Sequence, residues 1–123
     1  MKNMAKILID ANVILRYLLN DVEDMAKKSE EIIKFGAWTL PEVIAEVIYV
    51  LSSVYKINRE EIATAILEIL KEIDIEHKNT VIEAVKIFSE TNLDFVDCIL
   101  IAYKNIENAE VFSFDKKLNN KLK

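Results

Sequence analysis

Glycine and proline are all but missing from this chain of 123 residues, with Gly36 and Pro41 the one example of each. So little turn chemistry argues against hairpin-rich all-β folds and for helices joined by short polar corners. A single glycine also excludes the glycine-rich loops that cradle phosphates in Walker and Rossmann nucleotide-binding folds. Cys98 is the sole cysteine, which rules out an internal disulfide framework and a cysteine-based metal site and fits a reducing compartment. The one histidine, His77, stands in a charged stretch with no nucleophile elbow, so a histidine-based triad has no support. With aromatics at 8%, Trp38, Tyr49, Tyr55 and Tyr103 are expected in the core or a dimer interface before any role in stacking on bases.

No stretch of about 18 residues is both apolar and free of charge, and no basic segment leads into a signal-like apolar core. The expectation is a cytoplasmic protein with no membrane span. A formal net charge of −5 argues against a broad basic surface for nucleic acid. If the substrate is a polyphosphate, cations must mediate the contact.

What is present is a chain 52% hydrophobic and 30% charged, the composition of a single soluble domain spanning 1–123. Short apolar runs at 4–10, 37–40, 73–75 and 111–114 predict strands. Between them lie helical patterns. Val13, Ile14, Tyr17 and Leu18 mark a first helix over 12–19, broken by Asn20 and Asp21. Asp21 or Asp24 can cap a second, which Gly36 closes as a left-handed cap. Pro41 suits the first turn of a third, whose apolar positions run from Val43 to Val54. Asn58 and Glu61 form a cap and third-position pair for a fourth. A fifth starts near Asn79 and a sixth at Asp94, and a last helical turn carries Leu118 and Leu122. Strands alternating with helices call for a parallel sheet covered by helices on both faces, with the strand ends on one edge.

At that edge the carboxylates are the residues to weigh. Asp10 and Asp115 each end an apolar strand, and each can equally be read as the cap of the helix that follows. Asp94 and Asp97 fit a helix cap and its third-position partner. Glu46 interrupts the most apolar helix, sharing a side with Glu42 and Ser53, so it is either part of a solvated stripe or turned toward the strand ends. Gathered within ~6 Å, such acids would repel by roughly 3 kcal/mol per pair at an effective dielectric near 20. A fold tolerates that only with a cation among them or with some of them protonated. Oxygen-only ligands suit Mg²⁺ or Mn²⁺, which polarise a phosphoryl oxygen and lower the pKa of a bound water.

Four segments then carry a resemblance: Ile-Asp-Ala-Asn-Val-Ile-Leu-Arg at 9–16, Pro41 with Glu46 five residues on, Asp-Phe-Val-Asp-Cys-Ile-Leu-Ile-Ala at 94–102, and Phe-Ser-Phe-Asp-Lys-Lys-Leu at 112–118. In this order and spacing they resemble the PIN-domain nucleases, especially the VapC-like toxins of toxin–antitoxin modules. The resemblance implies a three-layer α/β/α sandwich with a central parallel sheet, and an endoribonuclease that hydrolyses RNA with metal-activated water. It makes Asp10, Glu46, Asp97 and Asp115 the acidic quartet that holds Mg²⁺ or Mn²⁺. Asn12 and Ser113 match accessory positions, and Asp94 stands where relatives carry a small polar residue, as an accessory acid or a cap. It also implies a homodimer and an antitoxin partner. Arg16, Lys104, Lys116 and Lys117 are the candidates for contacting RNA phosphates.

Two other families place an Asp at the end of the first strand. A haloacid-dehalogenase phosphatase wants a second Asp where Asn12 stands, and a receiver domain wants paired acids after the first strand. The alternative from another class is a catalytically silent module of the same fold, working by binding or as an RNA-processing subunit.

Overall fold

A computed structural model describes residues 6–123. Three short parallel strands, β1 (Ile7–Leu8), β2 (Ala37–Thr39) and β3 (Asp74–Ile75), lie in that order, with β2 in the middle. Ile7 pairs with Ala37 and Leu8 with Trp38, and on the other side Trp38 pairs with Asp74 and Thr39 with Ile75. Seven helices surround them among the described residues: α1 (Ala11–Leu19), α2 (Glu23–Gly36), α3 (Pro41–Ser53), α4 (Arg59–Ile69), α5 (Lys78–Glu90), α6 (Phe95–Glu107) and α7 (Lys116–Leu122). The expected α/β class with a parallel sheet is what forms. None of these helices is long and apolar enough to cross a membrane.

Local chemistry explains most element boundaries. Pro41 occupies the first turn of α3, where its missing N–H removes nothing. Asn58 accepts from the Glu61 N–H and donates its amide to the Glu61 carboxylate, a reciprocal cap for α4. Gly36, at φ +136°, lets α2 run straight into β2 through a conformation costly for any residue with a Cβ. The core is aliphatic, with Ile14, Ile44, Val47, Ile62, Ile66, Ala84, Val85, Cys98 and Ala102 fully buried. Each large aliphatic side chain so buried contributes about 1.5–3 kcal/mol of transfer free energy.

Arg59 ties three elements together from the first residue of α4. Its Nε donates to the Phe88 carbonyl at 2.9 Å and its Nη2 donates to the Leu93 carbonyl, while the guanidinium lies 3.7 Å from the centre of the Phe88 ring. Phe88 meets Phe95 edge to face at 6.0 Å. This bracket fixes the short loop from which α6 starts.

Three expectations are corrected. The run 111–114 pairs with no strand among the described residues, and Phe112 and Phe114 stand 82% and 91% exposed. The first strand is consequently not buried on both faces. Among the described residues β1 has β2 on one side only, Ile7 and Leu8 are exposed, and the part of the expected strand at residues 4 and 5 lies outside the described residues. Neither Asp21 nor Asp24 caps α2, whose N-cap is Val22, because Asp21 is drawn instead into an ion pair with Arg16 at 2.8 Å.

Candidate functional site

Asp10 owes its position to the end of β1. The buried Ile9 donates its N–H to the Trp38 carbonyl at 3.0 Å, and its carbonyl accepts from the buried Thr39 hydroxyl at 2.8 Å. Clamped to β2 in this way, the chain turns at Asp10, whose carboxylate accepts from the Val13 N–H at 3.1 Å and caps α1. A negative group is favoured there by the free N–H groups and dipole of the helix. Asn12 follows, exposed on the first turn.

Asp115 repeats the device at α7. Its carboxylate accepts from the Leu118 N–H at 2.9 Å, and Leu118, 2% exposed, anchors the helix. Ser113 does support this acid, through the backbone: its hydroxyl accepts from the Asp115 N–H at 2.9 Å, and its carbonyl accepts from the Asn119 side chain at 2.8 Å.

Asp97 lies in the first turn of α6 and is half-buried. Its carboxyl is held above the ordinary Asp range, first by burial, then by the charges of Asp115 and Asp94, with Lys117 pulling the other way. Asp94, Asp97, Asp115 and Lys117 thus share one electrostatic neighbourhood. Asp94 takes the N-cap position of α6, yet its side chain makes no capping bond, so the expected cap and third-position pair is not formed. An uncapped acid beside Asp97 adds to the local negative charge instead.

Glu46 is exposed on α3, its side chain without a hydrogen bond or ion pair among the described residues. Among the described residues no group of three or more His, Cys, Asp or Glu is close enough to hold a metal ion. Asp10 and Asp115 cap helices, Asp97 lies in the first turn of α6 and Glu46 in the second turn of α3, and among the described residues the four are not gathered into one cage. A strand at 111–114 would have delivered Asp115 from a strand end, as β1 delivers Asp10; an unpaired segment does not. Of the expected phosphate contacts, Lys116 and Lys117 are exposed on the first turn of α7, whereas Lys104 lies seven residues beyond Asp97, roughly 10 Å along α6. Arg16 bonds through its guanidinium to Asp21 at 2.8 Å and to the Tyr55 hydroxyl at 3.4 Å, and its buried Nε has no partner among the described residues.

Three supports escaped the sequence reading. Thr39 was the lone hydroxyl in an apolar run, a signal that existed. Arg59 and Asn119 gave none, since each acts on main-chain carbonyls far away in sequence or across a turn.

A family model for the PIN domain matches residues 7–121. The chain belongs to the PIN-domain family. The match opens on the first residue of β1 and closes within α7, so every acid considered above lies inside it. This PIN domain is also 31% identical over 118 aligned positions to a protein described as VapC ribonuclease from Aquifex aeolicus (strain VF5), spanning 89% of this chain and 87% of that one.

Proposed function

We propose that this PIN domain is a divalent-metal-dependent endoribonuclease, the toxin of a VapC-type toxin–antitoxin pair. The observation that carries the reading is the 31% identity to a VapC ribonuclease across most of both chains. The donor chemistry fits a hard cation: every candidate ligand is a carboxylate, and the Asp97 carboxyl, raised first by burial and then by the charges of Asp115 and Asp94, stands where a cation would relieve that repulsion. Asp10, Glu46, Asp97 and Asp115 would hold it. Mg²⁺ or Mn²⁺, when bound, supplies polarisation of a phosphoryl oxygen and a more acidic water. Lys116 and Lys117 orient a phosphate by charge, and Asn12 and Ser113 brace the acids beside them. A homodimer and an antitoxin that covers the site complete the reading.

One observation favours a second reading, a module of this fold that binds without turnover: the acids are not gathered into a three-ligand group among the described residues. A single experiment separates the two. Cleavage of a mixed RNA pool is measured with Mn²⁺ and with EDTA, on wild type and on Asp10→Asn/Asp97→Asn. The expected outcome is cutting by wild type with Mn²⁺ only, with the double variant down by at least about 100-fold. RNA binding without metal-dependent cutting would establish the second reading.

A further inference from the structure

Between α3 and the start of α6 lies a cavity of about 420 Å³. Tyr49, Ser52 and Ser53 line it from α3, Asp94 and Asp97 from the α6 end, and Arg59 from α4. On α3, Glu46, Tyr49 and Ser53 follow at intervals of three and four residues and so share one face of the helix. An acid, an aromatic ring and a hydroxyl therefore run in a row along the cavity's flank.

We infer that this cavity seats a nucleotide of the RNA next to the phosphate that is cut, with Tyr49 as the surface on which its base stacks. The inference rests on the ribonuclease reading and adds a substrate position to it. Tyr49 is 65% exposed and its hydroxyl bonds to nothing among the described residues, an arrangement that leaves a large ring without packing. Any base can use such a ring, because every base has a π-face. The hydroxyls of Ser52 and Ser53 have no hydrogen-bond partner among the described residues, and Arg59 uses only two of its five N–H donors on Phe88 and Leu93. These unfilled groups match the edges of a base and a ribose. Ala45, Ile48, Phe88, Phe95 and Val96 complete the lining and supply the apolar walls that the faces of a base need. The size is right for one small occupant with apolar faces and polar edges. Because Asp94 and Asp97 belong to the same wall, an occupant reaches Asp97, one of the candidate catalytic acids, directly.

The test uses wild type, Tyr49→Phe and Tyr49→Ala, with three measurements on each: RNA cleavage in Mn²⁺, binding of the same RNA in Ca²⁺, and sedimentation. Stacking predicts that Tyr49→Ala weakens Ca²⁺-supported binding about tenfold and raises KM by a larger factor than it lowers kcat. Tyr49→Phe, which keeps the ring, should match wild type. If wild type cuts or binds RNA and Tyr49→Ala does so equally well, the cavity is not a nucleotide site and the ribonuclease reading stands without it. Loss of a dimer by Tyr49→Ala with unchanged KM and binding assigns the ring to a second copy and overturns the inference. A wild type that neither cuts nor binds RNA removes both.

Discussion

Two short segments of similar composition meet opposite fates. Ala37–Thr39 lies between β1 and β3, with Ala37 and Thr39 at 2% and 0% exposure. Val111–Phe114 is likewise apolar apart from one hydroxyl residue, yet it lies open, its two phenylalanines packed edge to face on each other at 5.0 Å. What separates them is the neighbourhood, not the sequence. β2 is delivered by α2 with no intervening residue and is bonded on both sides, whereas 111–114 follows an α6 that ends at Asn108 in a left-handed cap. A strand exists only by pairing, so an apolar run states an aptitude and the partner decides the outcome. The exposed Ile7 and Leu8 on β1 are the counterpart of the same fact.

The comparison breaks most readily at the level of packing. Ile66→Ala, in a position with no exposure, should lower unfolding free energy by about 2–5 kcal/mol. Phe114→Ala should change it by no more than about 0.5 kcal/mol. Urea unfolding of both variants gives the answer. A loss of several kcal/mol in Phe114→Ala would mean that the segment packs in solution, β1 being its obvious neighbour.

The same contrast explains what was legible beforehand. The α/β class, Pro41 at the head of α3, the Asn58–Glu61 cap and the placement of Asp10 and Asp115 at the heads of helices all depend on residues within a few positions of each other. Their physics is local, and the sequence carries it. The pairing of 111–114, the exposure of β1 and the gathering of Asp10, Glu46, Asp97 and Asp115 depend on distances between remote elements, which no spacing rule sets. Arg16 shows the same limit at a single residue: its charge is visible in the sequence, but its bonds to Asp21 and Tyr55 require the folded corner. Arg59 is the reverse, a residue with no motif that organises the loop before Asp94 and Asp97.

Thr39 offers a smaller break, at the joint between the two regions. Its hydroxyl is the clamp on the Ile9 carbonyl, immediately before Asp10. Thr39→Val keeps the volume and removes the donor, so the fold should lose roughly 1–2 kcal/mol. Cleavage should fall further than that loss explains, because Asp10 is then held less firmly. Denaturation and RNA cleavage measured side by side test this. A variant as active as wild type would show that Asp10 needs no such anchor.

The finest probe is electrical, since Asp97 on the well-packed α6 feels Asp115 at the end of the open segment. The Asp97 carboxyl is raised above its ordinary value of 3.8 in the folded chain, so the native state binds that proton more tightly than the unfolded state does. The stability linked to this proton is complete below the ordinary value and is lost as pH rises through the raised one. At neutral pH the ionised Asp97 therefore opposes folding, by burial and by repulsion from Asp115 and Asp94. Asp97→Asn in EDTA should melt above wild type at about pH 7, with the difference gone by about pH 3. Mn²⁺ should raise the melting temperature of wild type more than that of the variant, because the cation relieves a repulsion that the variant has already lost. A variant that melts below wild type at neutral pH would mean that Asp97 is a stabilising cap, and that the two regions do not meet through it.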